Sequence, residues 1–260
     1  MLSALKWFFG LGLVAAVGIG AGIYFAFNGG GSQISYVTPD LVPIDNSTST
    51  TQSDQPPVNL PAAVSMPVPF TPQAPLGNWA ARQHTCEEAS LVMVDRYLHG
   101  DHSGSLIDAH TADAAINQVT TWKPAQDLTA LQVGELAQKY MGWAYKVLPA
   151  TRLNMKQQLA LGRPLIVGVR THGLGNPNYP GYSSHYEQIG WSVSHYLVVA
   201  GYDTGDTYIL NDPGLTRGHG YHISYDQLMH AIDDLDQAYP DLNMGRVFVV
   251  LAPFSSSTSS

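Results

Sequence analysis

The sequence is poor in charged residues. They make up 12% of the 260 residues, which is about half the usual quarter, so small polar residues and tyrosine must build much of the surface. The sequence has 12 Lys and Arg and 20 Asp and Glu, which gives a net charge of −8. A negative net charge does not attract the phosphates of a nucleic acid. This composition argues against nucleic-acid binding. The hydrophobic share of 45% excludes a wholly disordered or fibrous chain.

Cysteine is almost absent, since Cys86 is the only one in the chain. A single cysteine excludes a disulfide framework and a cysteine-rich zinc site. Two readings of Cys86 remain open from composition alone. It is either a small buried hydrophobic residue, as most free cysteines are, or a nucleophile.

An apolar run near the N-terminus predicts a membrane anchor. Residues 7–27 are apolar or glycine and follow Lys6. About 20 such residues span a bilayer, whereas a signal-peptide core has about 7–15. The residues at the end of the run are bulky and aromatic, unlike a cleavage site, so we expect an uncleaved helix rather than a removed signal peptide.

Basic residues are missing between Lys6 and Arg82, and this gap sets the expected orientation. The positive-inside rule places the N-terminus in the cytoplasm and everything after the span outside it. That compartment is oxidising, where a purely structural free thiol is unusual. The expected location therefore favours the interpretation of Cys86 as a nucleophile.

Composition divides the chain into four predicted segments. These are a transmembrane anchor over 1–28, a disordered linker rich in Gly, Ser, Thr and Pro over 29–65, one folded domain over 66–254, and a polar tail over 255–260. Within the domain, hydrophobic periodicity predicts helices at 86–99, 106–119, 129–140, 153–161 and 225–235. It predicts strands at 164–170, 195–202, 207–211 and 246–251, the middle two forming a hairpin. Helices first and strands last indicate an α+β fold.

Cys86 is predicted to open a helix. Thr85 followed three residues later by Glu88 has the pattern of a capping box, which places Cys86 at the first helical position. A thiol there lies at the positive end of the helix dipole, so we expect a lowered pKa for Cys86.

A nucleophilic cysteine requires a base and a group that orients the base. His195 stands at the start of the most apolar strand, whereas His84 precedes the Cys86 helix and the other candidates lie in loops (His172, His185, His219, His222). The paired strand ends in Asn211 and Asp212, close to the start of its antiparallel neighbour. Either could hold the imidazole, and because successive strand residues face opposite ways, only one of them can.

Several blocks of the domain resemble the C39-type, bacteriocin-processing-like cysteine peptidases. The first blocks are Pro-Val-Pro-Phe-Thr-Pro-Gln at 67–73 and Thr-Cys-Glu-Glu-Ala-Ser at 85–90. The later blocks, in the family's order, are 161–169, 194–199 and the Asn-Asp-Pro-Gly of 211–214. The resemblance extends over nearly the whole of residues 66–254.

The resemblance implies a papain-like fold, in which a helical lobe carries Cys86 and an antiparallel sheet carries His195 and Asp212. It implies that Gln73 donates its amide to the oxyanion together with the backbone amide of Cys86, although Gln83 is nearer in sequence. It requires no cofactor and no metal. The nearby pair His219 and His222 lies in a Gly-rich loop without further ligands.

The sequence departs from the family pattern at 176–191, which looks longer and introduces His185 as a rival base. Relatives that trim bacteriocin leaders are commonly fused to transporters, and nothing here resembles an ATPase or a bundle of spans, so that activity is not expected. The expected function is a membrane-anchored, extracytoplasmic cysteine peptidase acting on a peptide or protein. An inert binding module on the same fold and an acyl transfer to an amine remain as alternatives, and the oligomeric state is left open.

Overall fold

The structure is a computed structural model that describes residues 34–44, 59–123, 126–171, 174, 193–240 and 245–255. These residues all belong to one compact unit, Ile34–Ser260. The predicted span at 7–27, the 176–191 stretch, His172, His185 and nearly all of the predicted tail lie outside the described residues. Within the described part of the chain, no helix is long and apolar enough to cross a membrane.

One antiparallel sheet forms the centre of the domain. In the described residues it has seven strands: β1 Val64–Ser65, β2 Ala144–Pro149, β3 Leu165–Arg170, β4 Ser194–Tyr202, β5 Thr207–Asn211, β6 Tyr221–Ser224 and β7 Val247–Ala252. The order is β2-β7-β3-β4-β5-β6, and β1 pairs with the end of β4. Strand β4 has a neighbour on each side, and eight of its nine residues are buried. The start of β4 is therefore a rigid place from which to present a side chain.

Five α-helices and a short 3-10 helix, Trp79–Ala81, accompany the sheet in the described residues. The α-helices are α1 Cys86–Leu98, α2 Ala109–Trp122, α3 Ala130–Leu136, α4 Arg152–Ala160 and α5 Tyr225–Ala238. Each lies where the sequence predicted one, with its ends shifted by up to a few residues; a wider π-helical turn, Ala137–Met141, continues α3. The mixed α and antiparallel β architecture is thus confirmed. Helix α1 packs against β4, and its first nine residues are all buried.

Part of the predicted linker belongs to the folded domain. Residues 34–44, which we call the strap, form isolated β-bridges through Val37 to Val64 and through Ile44 to Phe254. The side chain of Ile44 is completely buried. Residues 59–65 also run along the domain and end in β1. The prediction of disorder is wrong for these two segments, because their scattered apolar residues and backbone groups find partners in the sheet; the rest of 29–65 lies outside the described residues.

Candidate active site

His195 and Asp212 form a buried side-chain pair. His195 is the second residue of β4, Asp212 follows the last residue of β5, and the Nε2 to Oδ1 distance is 2.6 Å. The same Oδ1 accepts the backbone N–H of Gly214 at 2.8 Å, and Oδ2 accepts the Tyr221 hydroxyl at 3.2 Å. Three donors from separate positions hold the carboxylate, so the imidazole is fixed through its Nε2 atom.

Asn211, the other candidate partner for His195, has different neighbours. Its Nδ2 donates to the carbonyl of Val68 at 3.2 Å, and its Oδ1 accepts the N–H of Gly220 at 3.0 Å. The alternation of side chains along the end of β5 thus turns Asn211 and Asp212 to different partners. Asp212 is therefore the hydrogen-bond partner of His195, and Asn211 links the backbone at Val68 to the backbone at Gly220.

Two glycines allow the turn after β5 to close on this pair. A Cβ atom on Gly214 would lie 2.9 Å from His195 Cε1, and one on Gly218 would lie 1.9 Å from the Asp212 carbonyl oxygen. Neither position has room for a side chain. Neither this requirement nor the role of the Tyr221 hydroxyl was predicted from the sequence, although glycines after Asp-Pro are a signal for a tight approach of the backbone.

Cys86 begins α1, as predicted, and its side chain lies against β4. Only 7% of the residue is exposed. The backbone N–H of Tyr196, the residue after His195, donates a hydrogen bond to the thiol sulfur. The strand that carries His195 therefore contacts the residue predicted as nucleophile.

The predicted lowering of the pKa of Cys86 is wrong for this structure. The thiol donates to Glu87 Oε2, with 3.1 Å between Sγ and the oxygen. Burial, and then the Glu87 carboxylate, raise the pKa of Cys86 well above its ordinary value. Burial of the thiol and a negative charge in contact with it outweigh the favourable dipole at the start of a helix.

The predicted capping box between Thr85 and Glu88 is not formed. Thr85 occupies the N-cap position, but its hydroxyl donates to the carbonyls of Gln73 and Arg82, at 3.2 and 3.1 Å. Glu88 Oε1 instead lies 3.0 Å from Lys123 Nζ. Because the start of α1 is buried, Glu88 is drawn to the nearest cation rather than back to the helix terminus.

Gln73 lies between the start of α1 and the turn that carries Asp212. Its backbone N–H donates to the carbonyl of Pro213 at 2.8 Å, and its own carbonyl accepts the Thr85 hydroxyl. The buried side chain directs Nε2 to the carbonyls of Arg82 and Gln83, at 2.6 and 3.3 Å. Gln83 contributes a carbonyl to this arrangement and is itself exposed.

The four predicted site residues are thus joined in a chain of contacts. Gln73 meets the Asp212 turn through Pro213, Asp212 meets His195, and the residue after His195 meets Cys86. The remaining described histidines have other partners. His84 is exposed near Asp127, the His219 ring stacks on Phe70, and His222 Nδ1 lies 3.1 Å from Asp203. In the described segments, no group of three or more His, Cys, Asp or Glu side chains could hold a metal ion.

Comparison with known proteins identifies the family. The family model described as "Peptidase_C39 like family" matches residues 66–242, which is more than half of the chain. The chain belongs to this family. The predicted resemblance is confirmed, and the family's span contains all four members of the contact chain. Among curated proteins, none matches the C39-like chain.

Three solved structures similar to the C39-like chain are at most 19% identical to it. A Bacillus anthracis protein described as a C39-like peptidase is 14% identical, with a TM-score of 0.48, over 74% of this chain and 98% of that one. The peptidase domain of Streptococcus ComA is 19% identical, with a TM-score of 0.41, over 66% and 93%. Interpain A, a cysteine protease of Prevotella intermedia, is 14% identical, with a TM-score of 0.34, over 55% and 56%.

Proposed function

We propose that the C39-like domain is a cysteine peptidase that hydrolyses peptide bonds, with Cys86 as nucleophile, His195 as general acid and base, and Asp212 as the residue that orients His195. The observation that supports this most is the buried His195–Asp212 pair on the strand that also contacts the thiol. An imidazole fixed by a carboxylate beside a nucleophile is the arrangement that thiol and serine peptidases share.

The contact between His195 and Asp212 supports a different role for each ring nitrogen of His195. Because Nε2 is bonded to Asp212, Nδ1 is the atom that exchanges protons with the reacting groups. The proton of Cys86 passes to His195 as Sγ attacks the substrate carbonyl, and His195 then returns it to the departing amine. A water molecule, deprotonated by His195, next attacks the thioester carbon and releases the acid with regeneration of the thiol.

The oxyanion of each tetrahedral intermediate lies, in this proposal, near the start of α1. The backbone amide of Cys86 and the side-chain amide of Gln73 are its donors. Gln73 Nε2 gives up its longer hydrogen bond, 3.3 Å to the Gln83 carbonyl, and donates to the substrate oxygen instead. The 2.6 Å contact to the Arg82 carbonyl stays and keeps the amide in place.

We also propose that residues 7–27 anchor the protein in a membrane, with the domain on the extracytoplasmic side. The length of the apolar run and the absence of Lys and Arg between Lys6 and Arg82 support this. The substrate is then a peptide or protein outside the cytoplasm. Digestion of intact cells with an added protease should remove the domain from the outside, whereas a domain that is protected until lysis would contradict this orientation.

One observation favours a second function, an inert binding module on the same fold. Cys86 is 7% exposed and its thiol is engaged by Glu87, which is an arrangement that an unreactive cysteine would also show. The two functions differ in whether the thiol forms a bond to an electrophilic peptide analogue.

The test uses a peptide library and an electrophilic peptide analogue on the purified full-length protein. Wild-type protein should cleave peptides and take up one label, which must be on Cys86 because the chain has no other cysteine. Cys86→Ala and His195→Ala should each abolish turnover, and the double variant should be scarcely worse than either, since the pair acts as a unit.

His222→Ala is the matched control, because His222 is also a strand histidine bonded to an aspartate, Asp203. It should retain most activity. Folded wild-type protein that neither cleaves nor takes up label would identify the binding module. Full turnover in Cys86→Ala would contradict the mechanism.

A further inference from the structure

The side chain of Glu87 occupies an unusual position for a charged residue. It is 2% exposed, inside the first turn of α1, and each of its oxygens has a partner. Oε2 accepts the thiol of Cys86 at 3.1 Å, and Oε1 accepts the backbone N–H of Leu128 at 3.1 Å. A buried carboxylate is costly unless it is hydrogen-bonded, so a fixed contact between this one and the thiol needs an explanation.

A closed ring of hydrogen bonds fixes Glu87 on the thiol. Leu128, just before α3, donates its N–H to Glu87 and accepts the Tyr196 hydroxyl at its carbonyl, at 2.9 Å. The backbone N–H of Tyr196 then donates to the sulfur of Cys86. Helix α1, the segment before α3 and strand β4 each contribute to the ring. The position of Glu87 is therefore fixed by Leu128 at one carboxylate oxygen and by Cys86 at the other.

We propose that Glu87 is a positioning residue that holds the proton on Cys86 while the site is empty, so that the resting protein contains a neutral thiol rather than a thiolate–imidazolium pair. The proposal rests on the function proposed above, because it concerns the nucleophile of that reaction. The thiol loses its proton to His195 only as Sγ leaves Glu87 for the substrate carbonyl. The Glu87 carboxylate gains and loses no proton in this step.

The charges around the thiol agree with this role. A thiolate would stand in direct contact with a carboxylate in a buried place, where like charges repel strongly. Burial and Glu87 are the two largest causes of the raised pKa of Cys86, and Glu88 adds a smaller effect in the same direction. The ionisable groups that act on Cys86, or on Tyr196 beside it, are Glu87 and Glu88 on α1, Tyr196 itself on β4, and Asp127 before α3. Lys123, after α2, pairs with Glu88, and His195 precedes Tyr196 on β4. Of these, Glu87 is the charged side chain hydrogen-bonded to the sulfur.

The experiment measures the rate of iodoacetamide alkylation against pH on the full-length protein. Every alkylation reports Cys86, since it is the only cysteine. Glu87→Gln keeps an acceptor for the Leu128 N–H but removes the charge from the thiol. We expect its alkylation midpoint to fall, and its rate near neutral pH to rise by about tenfold or more, the change that corresponds to one pKa unit.

Glu88→Gln is the matched control, because it removes a buried carboxylate one residue away that contacts Lys123 instead of the thiol. Its midpoint should stay close to that of the wild type. The far-ultraviolet absorbance of the thiolate, with the spectrum of Cys86→Ala subtracted, should give the same midpoints without depending on access of the reagent. If Glu87→Gln does not fold, Glu87→Asp serves in its place; the shorter side chain draws the charge back from the thiol, and the midpoint should fall by a smaller amount.

An unchanged midpoint in the folded Glu87 variant, or an equal fall in Glu88→Gln, would overturn the proposal. Wild-type turnover of peptides separates this result from a failure of the proposed function. If the wild-type protein cleaves peptides but the alkylation midpoint of the Glu87 variant is unchanged, the peptidase function is supported and the role of Glu87 is refuted. If the alkylation midpoint falls in the Glu87 variant but the wild-type protein cleaves no peptide, the effect of Glu87 on the thiol proton is supported and the proposed peptidase function is refuted.

Discussion

His195 and Asp212 lie 17 residues apart in the chain and 2.6 Å apart between Nε2 and Oδ1. The hairpin of β4 and β5 brings them together, since its register pairs Val198 with Asn211 and leaves the next residue beside the start of β4. An antiparallel pair of strands is thus enough to set the distance between the proposed base and its orienting group. The glycine turn after β5 then closes the space around them.

Asp212→Asn should lower kcat by about 10²–10⁴, because the amide no longer favours the productive imidazole tautomer. The loss should be smaller than for Cys86→Ala or His195→Ala, whose groups take part in the bond changes. Asn211→Ala is the neighbouring control, since Asn211 binds Val68 and Gly220 instead of His195. It should cost about 1–3 kcal/mol of unfolding free energy with little change in kcat. Equal kcat losses in the two variants would contradict the assignment of Asp212.

The sequence predicted the elements with strong periodicity and missed the weak ones. All five helices and strands β3, β4, β5 and β7 were identified. Strands β1, β2 and β6 were missed because two are very short and β2, Ala-Tyr-Lys-Val-Leu-Pro, has no clean alternation. Their pairing is decided by neighbouring strands distant in sequence, which a local pattern does not contain.

The candidate site shows the same limit. Residue types and spacing were enough to nominate Cys86 and His195 and left Asp212 and Asn211 as alternative partners for the imidazole. The resemblance to the C39-type peptidases favoured Asp212 and added Gln73. The structure brings these four residues, Cys86, His195, Asp212 and Gln73, into one chain of contacts. Two predictions for the first turn of α1 were wrong, namely the capping box between Thr85 and Glu88 and the lowered pKa of Cys86. The turn is buried, so Glu88 is drawn to Lys123 and the thiol loses the solvent that would support its ionisation.

Gln73→Ala tests whether the Gln73 amide meets the oxyanion. We expect kcat/KM to fall by about 10²–10³, the usual loss for one oxyanion donor. Because the amide also binds the Arg82 and Gln83 carbonyls, some loss of stability will accompany it. Gln73→Glu has the same shape but lacks the N–H donors, and should be at least as inactive. A variant that unfolds more easily but keeps wild-type turnover would make Gln73 a structural residue only.

Lys123→Met should destabilise the domain in a pH-dependent way. Lys123 Nζ lies 3.0 Å from Oε1 of the fully buried Glu88, and removing one partner of a buried pair costs about 3–5 kcal/mol. Burial already raises the pKa of Glu88 above its ordinary value, even with Lys123 present. A carboxyl whose pKa is raised by folding contributes stability at low pH and loses it as pH rises through the folded-state pKa.

The stability deficit of Lys123→Met should therefore be largest at neutral pH and shrink as acid protonates Glu88. Urea unfolding of wild type and variant across the carboxyl titration range measures this difference. Adding Glu88→Gln to Lys123→Met removes the stranded charge and should recover part of the loss at neutral pH. A deficit that does not vary with pH would show that lost packing of the lysine stem, not the charge of Glu88, is responsible.

Arg163→Met should release the strap, residues 34–44, from the domain. Arg163 is fully buried between β3 and α4, and its guanidinium donates Nε to the Val42 carbonyl at 2.8 Å and Nη2 to the Pro43 carbonyl. Its Nη1 donates to Gln158 Oε1 at 2.9 Å. Methionine fills much of the same volume without donors, so the strap loses two charge-assisted bonds, and we expect a cost of about 3 kcal/mol or more in unfolding free energy.

Limited proteolysis with mass spectrometry should show new cleavage within 34–44 in Arg163→Met, before the rest of the domain is cut. Arg246→Ala is the matched control, since Arg246 is 56% exposed, pairs with Asp233 at the surface and should change stability by about 0.5 kcal/mol at most. The buried Ile44 side chain offers a second test of the same contact, because Ile44→Ala should open the strap without altering any charge. If the strap stays protected in both Arg163→Met and Ile44→Ala, its backbone contacts are enough to attach it, among them the Val37–Val64 and Ile44–Phe254 bridges, and the anchoring role of Arg163 is refuted.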